Sequence, residues 1–281
     1  MEKINNSIIE IDKIVMITTA LYKCGIRKFK LMGGETTLYK NLPELINELK
    51  KIGNDIDISM ITNGLFEKEL IEKSISSGLG RVNVSVHSWG NEETMKMVGM
   101  DENMLLKLQE NLKYLKEKNV LSKVNYVYIK NQNKSELIDL INWVDNNKTV
   151  IDILNILSEL GIEDDKYCSF DEIEQFIYTN FNVTRVYNKE NVYSLPSKRL
   201  VLSKGGEVNL KITTLNSSAG FDSCKDCNAY DYCLEGIKAI RLTSNGEIQP
   251  CIYRTDNICS IHDWTDLKKM ERTIRENIKK L

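Results

Sequence analysis

The stretch that decides the fold reads Lys30-Leu31-Met32-Gly33-Gly34-Glu35-Thr36-Thr37-Leu38. An apolar run over residues 29–32 stops at two glycines and an acid, and Pro43 opens a helical pattern shortly afterwards. In a chain of alternating strands and helices, this pattern marks the carboxyl end of a strand that turns into a loop. Glycines there let a ligand lie against the backbone, and the acid can bind an ammonium group. A tight turn with a solvated Glu35 explains the same residues, so the decision depends on the other strand ends.

Strands and helices alternate from about residue 8 to residue 160. Helical patterns join five predicted strands, which implies parallel neighbours with right-handed crossovers. The strands are predicted at residues 28–32, 56–61, 81–86, 123–129 and 150–157. Polar residues alternate along the third strand, whereas a flat sheet covered on both faces would show near-continuous apolar runs. Alternation therefore favours a curved sheet or partial barrel, with its chemistry at polar strand ends such as Thr62-Asn63 and Ser85.

The composition limits the function classes. The chain has 281 residues and a net charge of −2, which suits one large core with a smaller satellite domain. This near-neutral balance argues against a nucleic-acid-binding surface. No apolar run approaches the length of a membrane span, and the first residues show no signal-peptide pattern. We therefore predict a cytoplasmic protein without nucleic-acid or membrane partners.

Four of the seven cysteines form the pattern Cys224-x2-Cys227-x5-Cys233-x17-Cys251. Without a secretion signal, such a group binds metal more often than it forms disulfides. The Cys-x-x-Cys pair suits tetrahedral zinc or an iron–sulfur cluster. A zinc ribbon has a second closely spaced pair, which is absent here, so the spacing favours iron–sulfur and zinc stays the alternative. The other cysteines are predicted to be structural: Cys24, Cys168 and Cys259.

Taken together, these segments resemble the radical S-adenosylmethionine (SAM) enzymes, and most closely the branch of the molybdenum-cofactor protein that cyclises GTP. The family's Gly-Gly-Glu-Pro, Thr-Thr-Asn-Gly, Val-Asn-Val-Ser and Lys-Val-Asn motifs have counterparts in the same order, and its auxiliary-cluster hairpin follows. The counterparts are residues 25–35, 61–64, 81–88, 123–125 and 242–251.

The resemblance implies an α/β fold in three parts. Residues 1–160 would form a truncated radical SAM domain, a partial (βα)6 TIM-like barrel lacking its first strand. Residues 161–198 would supply a connecting helix and strands. Residues 199–281 would form a small α+β iron–sulfur domain of the twitch or SPASM type with a C-terminal helix.

The resemblance also implies the site residues. SAM would be bound by the glycines and acid of the opening stretch and by polar residues of later strands: Gly33, Gly34, Glu35, Thr62, Asn63, Ser85 and Asn125. Substrate would contact Lys30, Lys123 and Arg241, although the two lysines could instead lie in salt bridges. The auxiliary 4Fe-4S cluster would be held by Cys224, Cys227, Cys233 and Cys251.

The chain also departs from the family pattern. The Cys-x3-Cys-x2-Cys motif that holds the SAM-cleaving cluster is not among the 281 residues, so we expect an N-terminally truncated part of such an enzyme, with a natural relic that lacks this chemistry as the alternative. Thr36 replaces the usual proline, and His87 replaces the usual aspartate. Of the Asn-Arg-Leu-Arg that reads GTP, only Arg241 remains, which argues against GTP as the substrate. The inserted Cys233 is more typical of peptide-modifying relatives.

The leading hypothesis is therefore a radical SAM enzyme, or part of one, that acts on a small molecule or a peptide. An active enzyme would also need an electron-donor protein. One alternative is a non-catalytic module that binds SAM or a metal. Another is a zinc-stabilised α/β protein of unrelated function.

Overall fold

The computed structural model describes residues 9–155, 168–189, 197–211, 222–227, 239–244, 246–249, 251, 259–260 and 266–279. Its helices are α1 (Ile11–Lys23), α2 (Leu42–Ile52), α3 (Lys68–Ser76), α4 (Glu92–Val98), α5 (Glu102–Glu117), α6 (Lys134–Asn146), α7 (Phe170–Asn180), α8 (Asp222–Lys225) and α9 (Leu267–Lys279). Its strands are β1 (Lys28–Leu31), β2 (Asp57–Thr62), β3 (Arg81–Val86), β4 (Leu121–Tyr128), β5 (Val150–Asn155), β6 (Val183–Lys189), β7 (Ser197–Leu202), β8 (Glu207–Lys211), β9 (Arg241–Leu242), β10 (Glu247–Gln249) and β11 (Cys259–Ser260). None of the described helices is both long enough and apolar enough to cross a bilayer.

The main sheet has the strand order β1-β2-β3-β4-β5-β8-β7-β6. The first five strands are parallel neighbours in chain order, as the alternating pattern predicted. β8 continues the sheet parallel to β5, and β7 and β6 follow as antiparallel strands. Three strands that follow the alternating segment therefore extend the same sheet. The proposed division of the chain at residues 160 and 198 stays a prediction.

One face of the sheet builds the main core. Along β3, Val82, Val84 and Val86 are buried in one cluster with apolar residues of α5 such as Leu108 and Leu112. Because side chains alternate along a strand, the residues between these valines face the opposite side. That opposite face is polar, and we call it the inner face. The candidate site is built on it.

The C-terminal helix packs against the first helix. Ile17 and Leu21 of α1 share a second apolar cluster with Met270 and Ile274 of α9 and with Ile248 of β10. The three-stranded sheet β11-β10-β9 is thus joined to the N-terminal part of the fold through α1. The predicted hairpin after β9 is observed, except that Asn245 lies outside the described residues.

Candidate functional site

Glu35 lies in the loop after β1, four residues beyond Leu31, and connects two strand ends. Its Oε1 accepts hydrogen bonds from the Thr37 amide (2.9 Å), the Thr37 hydroxyl (2.6 Å) and the Thr62 hydroxyl (2.8 Å). Its Oε2 accepts one bond, from the Asn63 amide, at 2.7 Å. The carboxylate therefore holds the loop after β1 against the loop after β2, and both oxygens have fixed positions.

The hydrogen bonds to Glu35 also determine its charge. Burial by itself would raise the pKa of this carboxyl, but the bonds from Thr37, Asn63 and Thr62 outweigh burial and lower its pKa below the usual value. Glu35 therefore stays negatively charged at neutral pH. Among the described residues, no lysine or arginine forms an ion pair with it.

Thr36 adds a second link between the same two loops. Its hydroxyl donates to the backbone carbonyl of Ile61, the residue before Thr62, at 2.7 Å. A proline at this position would have no hydroxyl to make that bond. The departure from the family's Gly-Gly-Glu-Pro therefore supplies a local contact of its own.

Gly33 and Gly34 are exposed, and a methyl group added to either would meet no atom of the described residues within 4 Å. Neither glycine has a left-handed backbone conformation. The packing of the chain itself therefore does not require glycine at these positions. The open backbone leaves room for a ligand beside Glu35.

A side chain of α5 supports the loop after β2. Gly64 has φ +81°, and the buried Asn111 side chain donates to the carbonyls of Gly64 (2.8 Å) and Phe66 (2.9 Å). The Asn63 side-chain oxygen accepts from the Leu65 amide at 2.9 Å. The Asn63 amide that donates to Glu35 is thereby fixed in place.

Polar and charged residues form a continuous row across the inner face of the sheet. Residues in register on adjacent strands project from the same face, so their side chains are neighbours. From β3 to β6 the row consists of Ser85, Asn125, Asp152, Asn209, Arg199 and Tyr187. The predicted SAM residues Ser85 and Asn125 are therefore direct neighbours.

Lys123, which the resemblance assigns to substrate, forms an ion pair with the buried carboxylate of Asp152. The other oxygen of Asp152 accepts from the side-chain amide nitrogen (Nδ2) of Asn209 at 2.8 Å. The positive charge of Lys123 is thus largely compensated inside the protein. Two buried atoms of the same row, Asn209 Oδ1 and Arg199 Nε, have no hydrogen-bond partner among the described residues.

The other two predicted substrate residues lie on different sheets. Lys30 is exposed on β1, in register with Ser59. Arg241 is half-buried on β9, in register with Gln249 of the three-stranded sheet. Their roles in binding substrate stay predictions.

The described residues contain only part of the cysteine pattern. Cys224 and Cys227 form one turn, in which the Cys227 amide donates to the Cys224 carbonyl at 3.0 Å, and Cys251 is buried. Cys233 lies outside the described residues. Within the described part of the chain, no three potential metal ligands come together. The four-cysteine cluster therefore stays a prediction.

Sequence reasoning missed the residue that holds the loop after β3. Glu136 of α6 is buried and accepts hydrogen bonds from that loop. A signal was available, because Glu136 precedes the buried Leu140 and Val144 by four and eight residues. An acid on the apolar face of a helix needs a partner.

The family model described as "Radical SAM superfamily" matches residues 3–144. A protein of Sulfolobus acidocaldarius named "Probable GTP 3',8-cyclase" is 30% identical over 268 residues, which cover 93% of this chain and 77% of the relative. The "GTP 3',8-cyclase" of Helicobacter pylori is 26% identical over 279 residues, which cover 98% of this chain and 80% of the relative.

Solved structures show the same fold at lower identity. Streptococcus suis SuiB bound to S-adenosylmethionine has a TM-score of 0.61 at 18% identity, over 95% of this chain and 58% of that chain. The chain thus spans less than two thirds of the length of SuiB. Native anSMEcpe with bound AdoMet and the Cp18Cys peptide has a TM-score of 0.56 at 14% identity, over 96% of this chain and 74% of that chain. These likenesses confirm the predicted partial-barrel fold class.

Proposed function

Because the chain belongs to the radical SAM superfamily, we propose that it binds SAM at the carboxyl ends of β1, β2 and β3, with Glu35 holding the amino group. The observation that carries this proposal is the state of Glu35. Its carboxylate is fixed between two strand-end loops, keeps its negative charge, and forms no ion pair within the described part of the chain. An ammonium group is the natural partner for such a carboxylate.

The residues present fit the amino acid end of SAM. Oε1 of Glu35 already accepts three hydrogen bonds, whereas Oε2 accepts one and retains capacity for a further donor. Gly33 and Gly34 leave the adjoining backbone open. An ammonium group can therefore approach Oε2 without displacing a protein donor.

The other predicted SAM residues divide into two groups. Thr62 donates to Glu35 and accepts from the Gly64 amide at 3.1 Å. Its hydroxyl therefore positions the Glu35 carboxylate rather than contacting the ligand. Asn63 acts through its backbone amide. Ser85 and Asn125 are half-buried on the inner face and are the residues we assign to direct contact with the rest of SAM.

In the enzymes of this superfamily, a 4Fe-4S cluster bound beside SAM supplies the electron that generates a 5′-deoxyadenosyl radical. The 281 residues contain no Cys-x3-Cys-x2-Cys motif, so no residue of this chain is assigned to that cluster. The part of the chemistry assigned to this chain is to bind SAM, to orient it through Glu35, and to present the polar face of the sheet beside it.

We assign an auxiliary 4Fe-4S cluster to Cys224, Cys227, Cys233 and Cys251. The single turn formed by Cys224 and Cys227 and the burial of Cys251 support this assignment. Metal analysis of the purified protein separates it from the zinc alternative. Iron with visible absorbance, lost when Cys224 and Cys227 are replaced by alanine, supports the cluster. One equivalent of zinc without visible absorbance contradicts it.

For the substrate, the inner face favours an uncharged polar group over a polyphosphate. Lys123 is already paired with Asp152, so its charge is compensated. An uncharged polar group of a peptide therefore suits this face better than the triphosphate of the GTP named for the cyclases. One solved relative is SuiB bound to its precursor peptide SuiA.

Titration calorimetry with SAM tests the binding proposal. Glu35→Gln keeps the size of the side chain and removes its charge, and we expect about 10- to 100-fold weaker binding because a bond to a charged group contributes about 1.5–3 kcal/mol. Glu174→Gln is the matched control, since Glu174 is also largely buried but pairs with Lys198 on the other part of the sheet. Equal SAM affinity in the wild type and Glu35→Gln would refute the role of Glu35.

A further inference from the structure

Glu136, in the first turn of α6, is 3% exposed, and its carboxylate accepts hydrogen bonds from four donors. Its Oε1 accepts from the Ser88 hydroxyl at 2.5 Å, the Trp89 amide at 2.6 Å and the Asn91 amide at 2.8 Å. Its Oε2 accepts from the hydroxyl of Tyr126 on β4 at 3.2 Å. One buried side chain thus satisfies two backbone amides of the loop that follows β3.

The same loop has further fixed points. The rings of Trp89 and Trp143, the latter also on α6, lie 5.7 Å apart between centroids. The Asn91 side chain accepts from the Thr94 amide at 3.1 Å and caps α4. Gly90 has φ +121°, a conformation that glycine tolerates and other residues rarely adopt. The loop after β3 therefore has a single, well-determined path.

The loop after β1 is built differently. Gly33 and Gly34 are exposed and have open space beside them. One side of the candidate site is thus open, while the other is attached to a helix through a buried carboxylate. A ligand that enters beside Glu35 would meet the β3 side as a preformed surface.

We propose that Glu136 is a positioning residue, which fixes the loop after β3 and thereby determines how tightly Ser85 holds SAM. This inference rests on the proposed SAM site. Ser85 lies three residues before Ser88, which is fully buried and bonded to Glu136. A shift of the loop therefore displaces the end of β3, where Ser85 lies.

A matched control exists on the same helix. Asp145, at the other end of α6, is a buried carboxylate that accepts from the amides of Lys204 and Gly206, each at 3.0 Å. It fixes the turn between β7 and β8 as Glu136 fixes the loop after β3. The two acids differ in which loop they hold, and only the loop held by Glu136 borders the proposed site.

The test combines amide hydrogen exchange with SAM titration of the full chain. Glu136→Gln should speed exchange at the Trp89 and Asn91 amides and weaken SAM binding about fivefold to tenfold, within the range measured for residues that act without touching the ligand. Asp145→Asn should speed exchange at Lys204 and Gly206 and leave SAM affinity within about twofold of the wild type.

Several results would overturn the proposal. Faster exchange with unchanged SAM affinity in Glu136→Gln shows that the loop does not determine affinity, and unchanged exchange shows that Glu136 does not hold the loop. If Glu136→Gln fails to fold, Ser88→Ala removes one donor alone and must show the same two effects in weaker form. A wild type that does not bind SAM refutes the proposed function, while the exchange measurements still decide whether Glu136 holds the loop.

Discussion

Replacing Gly64 by alanine should destabilise the protein by about 3 kcal/mol. The left-handed backbone at φ +81° costs a residue with a Cβ about 1–2 kcal/mol. The added methyl group would lie 2.4 Å from Leu108 Cδ1 and 3.0 Å from Val84 Cγ1, and overpacking of this kind costs about 1–3 kcal/mol. The Leu108 side chain can move to relieve part of the clash, so we expect a total cost near the middle of the combined range.

Thermal unfolding is the assay, and the midpoint should fall by roughly 6–10 °C for a chain of this size. Gly99→Ala separates the two costs, because Gly99 has φ +67° but no atom within 4 Å of an added methyl group, so it should cost about 1 kcal/mol. Gly34→Ala has neither strain nor a clash and should change stability by less than about 0.5 kcal/mol. Equal losses for Gly64→Ala and Gly99→Ala would refute the clash with Leu108.

The pKa of Glu35 is lower in the folded protein than in the unfolded chain. The ionised carboxylate therefore contributes to folding stability above the unfolded-state pKa, and this contribution is lost as pH falls through the folded-state pKa. Because the lowered pKa keeps Glu35 ionised, SAM affinity measured by calorimetry should stay constant as pH falls from neutrality and decline only below the ordinary pKa of a glutamate. A decline that begins near pH 6 would contradict the assignment. Lys123→Met leaves Asp152 buried without its cation and should cost about 3–5 kcal/mol in urea unfolding, and the double variant with Asp152→Asn should recover much of the loss. If the double variant is no more stable than Lys123→Met, the pair does not act as a unit. Asn111→Ala removes the donor to two carbonyls of the loop after β2. It should lower the free energy of unfolding by about 2 kcal/mol in the same assay and weaken SAM binding. Unchanged stability would show that Asn111 does not support the loop.

Local patterns in the sequence were enough to predict the strand ends. Glycine, threonine and asparagine at the ends of apolar runs predicted the loops after β1 and β2, because turn chemistry depends on neighbouring residues alone. Ser169 caps α7 by local chemistry of the same kind, and the structure shows the reciprocal bonds between Ser169 and Glu172.

The sequence did not reveal which distant residues meet. The pairing of Lys123 with Asp152 depends on the register of β4 and β5, and periodicity specifies faces but not partners. For the same reason, the pattern placed Glu136 on a helix but could not show that it holds a loop more than forty residues earlier. The reversed order β8-β7-β6 likewise depends on tertiary packing rather than on local pattern.

The most direct test of the central claim compares two ligands on two proteins. S-adenosylhomocysteine carries the amino acid group that Glu35 is proposed to hold, and 5′-methylthioadenosine lacks it. Calorimetry should show that the wild type prefers S-adenosylhomocysteine by about tenfold or more, and that Glu35→Gln loses most of this preference. The same preference in both proteins would show that Glu35 does not bind the amino group, and would contradict the SAM site proposed here.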